Sequence, residues 1–535
     1  MSDLSIVLCG EAGQGIQTVE RLLTRILKLS GYNVFATKEY MSRVRGGVNS
    51  TSIRVSSEPV SAYIDRIDIL IPLTEKRTKH LERRISKKTL VLKENISTNM
   101  DAIGAVCGIL KIEFKVIEDY IRYYFAKKGE KVISDNIAAA KKGYAYGGSL
   151  KYEIKIKPDK RVVEDLLING AEAVGLGAIA GGCSFISAYP MSPSTGVLVF
   201  LSQHAKEFGI VAEQVEDEIS AMNMALGAWY AGARALVSTS GGGFALMEEG
   251  LSLAGMLESP VVIHLAQRPG PATGLPTRTE QGDLNMALYS GHGEFPRIIF
   301  APGSIEQAYE LTQKAFNLAD KYQIPVFVLT DQYLMDSYYN LPSLRSDLKI
   351  EKHIVKTGTG YKRYALTRDG ISPRGIPGYG EGLVSADSDE HDELGHITED
   401  LDLRDDMVDK RLKKLEAIED EAVPPELIGP ENYKILVVGW GSTYQMIKEA
   451  VAKLGRKDTA FLHFKQVYPL PEDTREYLGK ADKVIMIENN ATSQFGNLIS
   501  LYTGFEIEDR ILKYDGLPFS VEEITDGIKE IIKHG

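Results

Sequence analysis

Residues 169–195, NGAEAVGLGAIAGGCSFISAYPMSPST, carry the reading of the fold. Residues 169–182 read as a helix of small side chains. Residues 184–190 read as a strand that runs into a loop, and AYPMSPST (188–195) stiffens that loop with two prolines and three hydroxyls. The same order, strand then polar loop then helix, recurs downstream. VEDEISAMNMALGAWYAG (215–232) predicts a helix, and RALVSTS (234–240) a strand followed by Gly241, Gly242 and Gly243. PVVIHLAQ (260–267) predicts a strand ending at Arg268-Pro269-Gly270-Pro271, and IPVFVLTD (324–331) another. This is an α/β pattern, and such sheets bind ligands at the carboxyl ends of their strands.

Upstream, residues 4–9 predict a buried strand, GEAGQGIQ (10–17) a turn into a helix, and 18–30 helical spacing. Strands at 33–36, 50–56, 67–73 and 88–95 suggest a mostly parallel sheet, with a basic, polar linker over 147–162. Residues 345–430 differ, with an acidic run from Asp387 to Asp409 that reads as exposed, partly extended connector and a short charged helix at 408–420. YKILVVGWGS (433–442) and KVIMIENN (483–490) predict a last α/β unit.

Composition excludes several classes. With 535 residues, 44% hydrophobic and 25% charged, the chain is neither disordered throughout nor a small stapled scaffold. Lys plus Arg is 62 and Asp plus Glu is 73, giving −11, which disfavours a general nucleic-acid binder. Cys9, Cys107 and Cys183 lie far apart in an odd count, against a disulfide framework. A cubane cluster usually needs four thiolates, so this chain is expected to carry none. The apolar run 4–9 is too short to span a bilayer and has no basic flank, so no membrane association and a cytoplasmic location are expected.

Several motifs can carry chemistry. GEAGQG (10–15) is either a tight turn or an anion cradle. Arg43, Arg45 and Arg54 suit an anionic group or an internal set of salt bridges. Glu218 opens a helix of small and apolar residues and is expected to be partly buried; a capping role is the plain alternative. STSGGG (238–243) reads as a flexible stretch rich in amides and hydroxyls. Arg268, at the end of a strand, can take a substrate carboxylate with both arms of its guanidinium. His391 and His396 could ligate a metal, although a solvated linker accounts for them.

Taken in order, NGAEAVGLGAIAGG, AYPMSPST, EDEISAMNMALGAWYAGAR, TSGGG, LMEEG, RPGPATGLPT, TEQGDL and GEFPR resemble the 2-oxoacid:ferredoxin oxidoreductases. The likeness is to the form whose alpha chain carries an N-terminally fused gamma domain, with GEAGQG and Ser42 to Gly47 resembling that domain. It implies a multidomain α/β chain: a gamma-type domain (1–160), a pyrimidine-type domain of the thiamine diphosphate-binding fold (161–345), an acidic connector (346–430) and a transketolase C-terminal-like domain (431–535). It also implies coenzyme A-dependent oxidative decarboxylation of pyruvate or 2-oxoglutarate with reduction of ferredoxin. A beta subunit would hold thiamine diphosphate, Mg²⁺ and a [4Fe–4S] cluster. By resemblance, Glu218 bonds the aminopyrimidine of the cofactor. Ser192, Tyr189, Arg268 and Thr277 bind substrate, and the loop with Arg43, Arg45 and Gly46 covers the site or receives coenzyme A. Ser192 stands where the family usually has threonine, and Met191 where isoleucine is common. A paralogue with another substrate and a non-catalytic scaffold subunit are the alternatives.

Overall fold

The computed structural model describes residues 3–534 except 12, 43–46, 77, 94, 95 and 153. The chain forms two compact units. The first comprises residues 1–169, 336–344 and 520–522, and the second the remainder.

The first unit is built on a seven-stranded sheet. Its order is Leu90–Val91, Ile69–Pro72, Asp3–Glu11, Val48–Ser56, Asn33–Glu39, Tyr338–Leu341 and Leu166–Asn169. The expectation of a mostly parallel sheet needs correction. Val48–Ser56 is antiparallel to both neighbours, pairing Asp3 with Ser56 through Glu11 with Val48 on one side and Asn33 with Ser56 on the other. Asn33–Glu39 and Val48–Ser56 are separated by eight residues, fewer than the roughly dozen that a parallel crossover takes, so their pairing is antiparallel. The helix Ile16–Leu29 starts from Gly15 in the left-handed region (φ 74°). Ile16, Val19, Leu22, Leu23, Ile26 and Leu27 make its buried stripe at helical spacing.

Residues 147–149 belong to the helix Glu130–Ser149 rather than to a linker. Gly143 and Gly147 of that helix, with Gly104 and Gly108 of the helix Asn99–Ile109, let the two main chains touch where any side chain would collide. Arg54 is spent internally, its Nε donating to Asp3 at 2.5 Å.

The second unit holds two sheets. The larger runs Gln466–Tyr468, Ile298–Phe300, Pro325–Asp331, Val261–Gln267, Ala235–Thr239, Phe185–Ala188 and Val211–Gln214. All of it is parallel except Gln466–Tyr468, which joins antiparallel to Ile298–Phe300. Val261–Gln267 and Pro325–Asp331 are buried along their whole length, as befits parallel strands covered on both faces. The smaller sheet runs Glu426–Ile428, Thr459–Phe464, Ile435–Trp440, Lys483–Glu488 and Asp509–Leu512.

The acids from Asp387 to Asp409 lie at the surface as expected, none of them buried, but other residues of the connector pack inward. His391 and Tyr364 are fully buried, with ring centroids 3.8 Å apart. The helix there is longer than expected, Leu401–Asp420, started by the Asp400 carboxylate accepting from the amides of Asp402 and Leu403. Its Lys410 and Lys414 are buried on Glu258, with Lys414 Nζ at 2.5 Å. The two lysines follow the acidic run and are buried because Glu258 meets them. No described helix is long and apolar enough to cross a membrane.

Candidate functional site

The larger sheet of the second unit reverses its winding between two adjacent strands. From Phe185–Ala188 the chain moves outward to the edge strand Val211–Gln214, then returns to Ala235–Thr239 on the other flank. The loops after Phe185–Ala188 and Ala235–Thr239 therefore diverge and leave a crevice at their carboxyl ends, the usual ligand position of such sheets. The AYPMSPST loop and the Ser240–Gly243 turn are its two sides.

Tyr189 is the first loop residue and is 40% exposed. Ser192 is half-buried, and its carbonyl oxygen accepts from Arg268 Nη1 at 2.8 Å. The loop closes on itself at Ser194, whose Oγ donates to the Met191 carbonyl at 2.7 Å, and then feeds the helix Thr195–Phe208. Arg268 leaves the end of Val261–Gln267 and is buried, with Nε lacking an acceptor among the described residues. Burial pulls its pKa below the usual guanidinium value, and the Asp283 carboxylate opposes that. Thr277 lies half-buried in a turn that Arg278 N closes on the Leu275 carbonyl at 3.1 Å.

Glu218 begins the helix Glu218–Tyr230, capped by the Asp217 carboxylate accepting from Ser220 N at 2.7 Å. Asp217 thus does the capping and leaves the neighbouring carboxylate for other work. Glu218 is 3% exposed, and its Oε1 has no hydrogen-bond partner among the described residues. Glu216 precedes the helix and is exposed. Against Glu218 packs Gly243. A Cβ there would sit 2.6 Å from Glu218 Oε1 and 2.8 Å from its Cγ. The glycine run is therefore not a flexible stretch: Gly241–Phe244 is a buried helical turn whose glycines admit close neighbours. Ser240 Oγ at its start is also buried without a partner among the described residues.

Two features of this edge escaped the sequence. His264 is fully buried between two hydroxyls, Nδ1 with Ser238 Oγ at 2.8 Å and Nε2 with Thr330 Oγ1 at 2.9 Å. Burial drives its pKa down to about 3, so it is neutral. Ser238 Oγ also donates to the Ser194 carbonyl at 3.4 Å, tying the proline loop to the sheet. These contacts cross three strands, and no local spacing announces them. Asp283 is the second feature. Burial raises it to about 7, with Glu280 adding to the rise and Arg268 working against it. Its membership of TEQGDL was the available signal.

The structure thus joins Ser192 to Arg268 and Glu218 to the Ser240–Gly243 turn, and sets Tyr189 and Thr277 in loops at the same edge. Arg43, Arg45 and Gly46 lie outside the described residues. Cys9, Cys107 and Cys183 are buried free thiols. No group of three or more His, Cys, Asp or Glu among the described residues is arranged to hold a metal.

The chain is similar to known proteins. Residues 176–410 match the family described as pyruvate flavodoxin/ferredoxin oxidoreductase, thiamine diP-bdg. Residues 5–94 and 83–146 match pyruvate ferredoxin/flavodoxin oxidoreductase. A 2-oxoacid:ferredoxin oxidoreductase subunit alpha from Sulfolobus sp is 32% identical over 99% of this chain and 97% of its own. A 2-oxoglutarate synthase subunit KorA from Archaeoglobus fulgidus is 36% identical over 61% of this chain and 88% of its own. A solved 2-oxoglutarate:ferredoxin oxidoreductase from Magnetococcus marinus, with 2-oxoglutarate, coenzyme A and succinyl-CoA bound, superposes with a TM-score of 0.91. It is 30% identical, covering 99% of this chain and 100% of that one.

Proposed function

The chain belongs to the family of 2-oxoacid:ferredoxin oxidoreductase alpha subunits, and from that premise we propose that its switch-point crevice holds the 2-oxoacid and one end of thiamine diphosphate. The enzyme is a multi-subunit oxidoreductase that decarboxylates 2-oxoacids oxidatively, with coenzyme A as acyl acceptor and ferredoxin as electron acceptor. The observation that carries the cofactor reading is Glu218 Oε1, a buried carboxylate oxygen without a partner among the described residues and faced by Gly243. An acceptor left unpaired in a dry site costs stability unless a ligand completes it. The aminopyrimidine ring of thiamine diphosphate is flat and offers a ring nitrogen that becomes a donor when protonated. It fits a carboxylate beside a position that must lack a side chain. When bound, the cofactor supplies stabilisation of the carbanion left as CO₂ departs.

The chain's own residues then have distinct tasks. Glu218 holds the proton on the pyrimidine ring nitrogen, in a site where exclusion of water strengthens that bond. Arg268 takes the substrate carboxylate. Its Nη1 stays on the Ser192 carbonyl, which fixes the guanidinium plane before substrate arrives. The Ser192 hydroxyl, Tyr189 and Thr277 complete the pocket by hydrogen bonds to the carboxylate or ketone oxygen. The loop with Arg43, Arg45 and Gly46 receives coenzyme A in this reading. A beta-type partner holds the diphosphate, Mg²⁺ and the [4Fe–4S] cluster, and passes electrons to ferredoxin. The parts of the chain are the gamma-type domain to about residue 160, the pyrimidine-type domain, the connector and the transketolase C-terminal-like domain.

The test is copurification with the beta partner, followed by viologen-coupled turnover with pyruvate and 2-oxoglutarate. Glu218→Ala is expected to lower kcat by about 10²–10⁴, the range of a lost proton-holding group. Near-normal turnover by that variant would instead make this chain a scaffold.

A further inference from the structure

Helix Glu218–Tyr230 has a second cavity at its other end. Its volume is about 310 Å³, and it is lined by Leu226, Trp229, Leu257, Pro260, Arg363 and Arg374 among others. That is the lower end of the size range of small-molecule sites. The wall is mostly apolar, and the two arginines are its charged members. Leu226 lies eight residues past Glu218, about 12 Å along the helix axis, and Pro260 precedes the strand Val261–Gln267 whose far end carries Arg268. The cavity therefore sits by the amino ends of the sheet, away from the crevice.

The charges beside it do not balance. Asp320 is shared by Arg374 and Arg234, the latter at 3.8 Å. Glu258 is shared by Lys410 and Lys414. Arg363 has no carboxylate of its own. Its Nη2 donates only to main-chain oxygens, those of Glu258 at 2.7 Å and Leu257 at 3.2 Å. Its Nη1 has no acceptor among the described residues, and Arg374 Nε has none either. Both arginines are more than nine-tenths buried. Each lies against an aromatic ring, Arg363 on Tyr364 at 4.8 Å and Arg374 on Trp229 at 5.6 Å, which holds the guanidinium groups in place. Buried cations in excess of carboxylates, around an apolar hollow, form a receptor for an anion with an apolar body.

We propose that this cavity is a second binding site, separate from the crevice, for a small monocarboxylate with an aliphatic or aromatic body. The carboxylate lies against the Arg363 and Arg374 side chains where they line the hollow, and the body fills the space between Leu226, Trp229 and Leu257. A carboxylate suits the planar fork of arginine, and the apolar wall disfavours a bare inorganic ion.

The probe is 3-phenylpropionate, which has the carboxylate and the ring but no ketone. It is titrated by calorimetry into the assembled enzyme, with Arg268→Ala as background to remove any binding in the crevice. Saturable binding is expected to persist in that background. Arg363→Met is expected to weaken it about tenfold or more, the loss of a charged hydrogen bond. Because Arg363→Met could disturb the fold, Gly227→Leu is the second variant. Gly227 lines the cavity, and a Cβ there meets nothing within 4 Å, so the backbone position accepts a side chain and leucine puts an apolar group at the cavity wall. It is expected to abolish binding while leaving the melting temperature at or above that of the parent. Absence of binding in the Arg268→Ala background overturns the proposal, as does equal affinity in Gly227→Leu.

Discussion

Arg268 Nη1 donates to the carbonyl oxygen of Ser192 at 2.8 Å, joining a strand end to the proline loop across the crevice. The bond uses one arm of the guanidinium and leaves Nε without an acceptor among the described residues. Arg268→Lys retains the charge but loses the fork. The KM for the 2-oxoacid is expected to rise about 10- to 100-fold, with a smaller change in kcat, since one charged hydrogen bond is worth roughly 1.5–3 kcal/mol. Steady-state kinetics at saturating coenzyme A measure this. An unchanged KM would mean that the substrate carboxylate is held elsewhere.

Gly243 presses on the Glu218 side chain. Gly243→Ala puts a methyl group 2.6 Å from Glu218 Oε1, so the carboxylate must move. Turnover is expected to fall about tenfold or more, with a stability loss of about 1–3 kcal/mol from overpacking. Gly242→Ala is the control, because its nearest neighbour is the Ala272 carbonyl at 3.5 Å, an ordinary contact. Equal effects at the two positions would remove the special role of Gly243.

His264 makes stability pH-dependent. In the folded protein it stays neutral down to about 3, whereas an unfolded histidine takes a proton near 6.5. The unfolded chain therefore binds more protons below 6.5, and stability falls as pH falls through that window. Between pH 6.5 and about pH 5 the loss is roughly 1.5–2 kcal/mol for this group. His463, also buried and also lowered to about 3, adds a similar share. Asp283, raised to about 7, changes stability in the opposite sense over the same range, so the readout is the difference between the parent and His264→Gln. The urea midpoint of the parent relative to the variant should fall as pH falls from 6.5 to about 5, and a constant difference would contradict the assignment.

Glu258 stands between two buried lysines, so its two kinds of substitution should differ. Glu258→Gln strands Lys410 and Lys414 without their carboxylate and is expected to cost about 3–5 kcal/mol. Lys414→Met leaves a simple pair and is expected to cost less than about 1.5 kcal/mol, because the methionine still fills the space. Denaturant melts of the two variants decide it, and a larger loss for Lys414→Met would invert the argument.

The sequence by itself determined the α/β class and the loop after Phe185–Ala188. Those features are local: a strand, its turn and its helix are contiguous, and their periods and prolines are visible in one stretch of chain. It also marked Glu218 as a carboxylate ahead of a small-residue helix. What only the tertiary structure decided is what those residues meet. The return of Val48–Ser56 against both neighbours, Gly243 against Glu218, and His264 between Ser238 and Thr330 all join segments far apart or on different strands. The acidic connector shows the same limit. Its acids are at the surface as composition predicts, yet His391, Lys410 and Lys414 are buried, because the cost of burying a charge depends on the partner, and for the lysines that partner, Glu258, lies elsewhere in the chain.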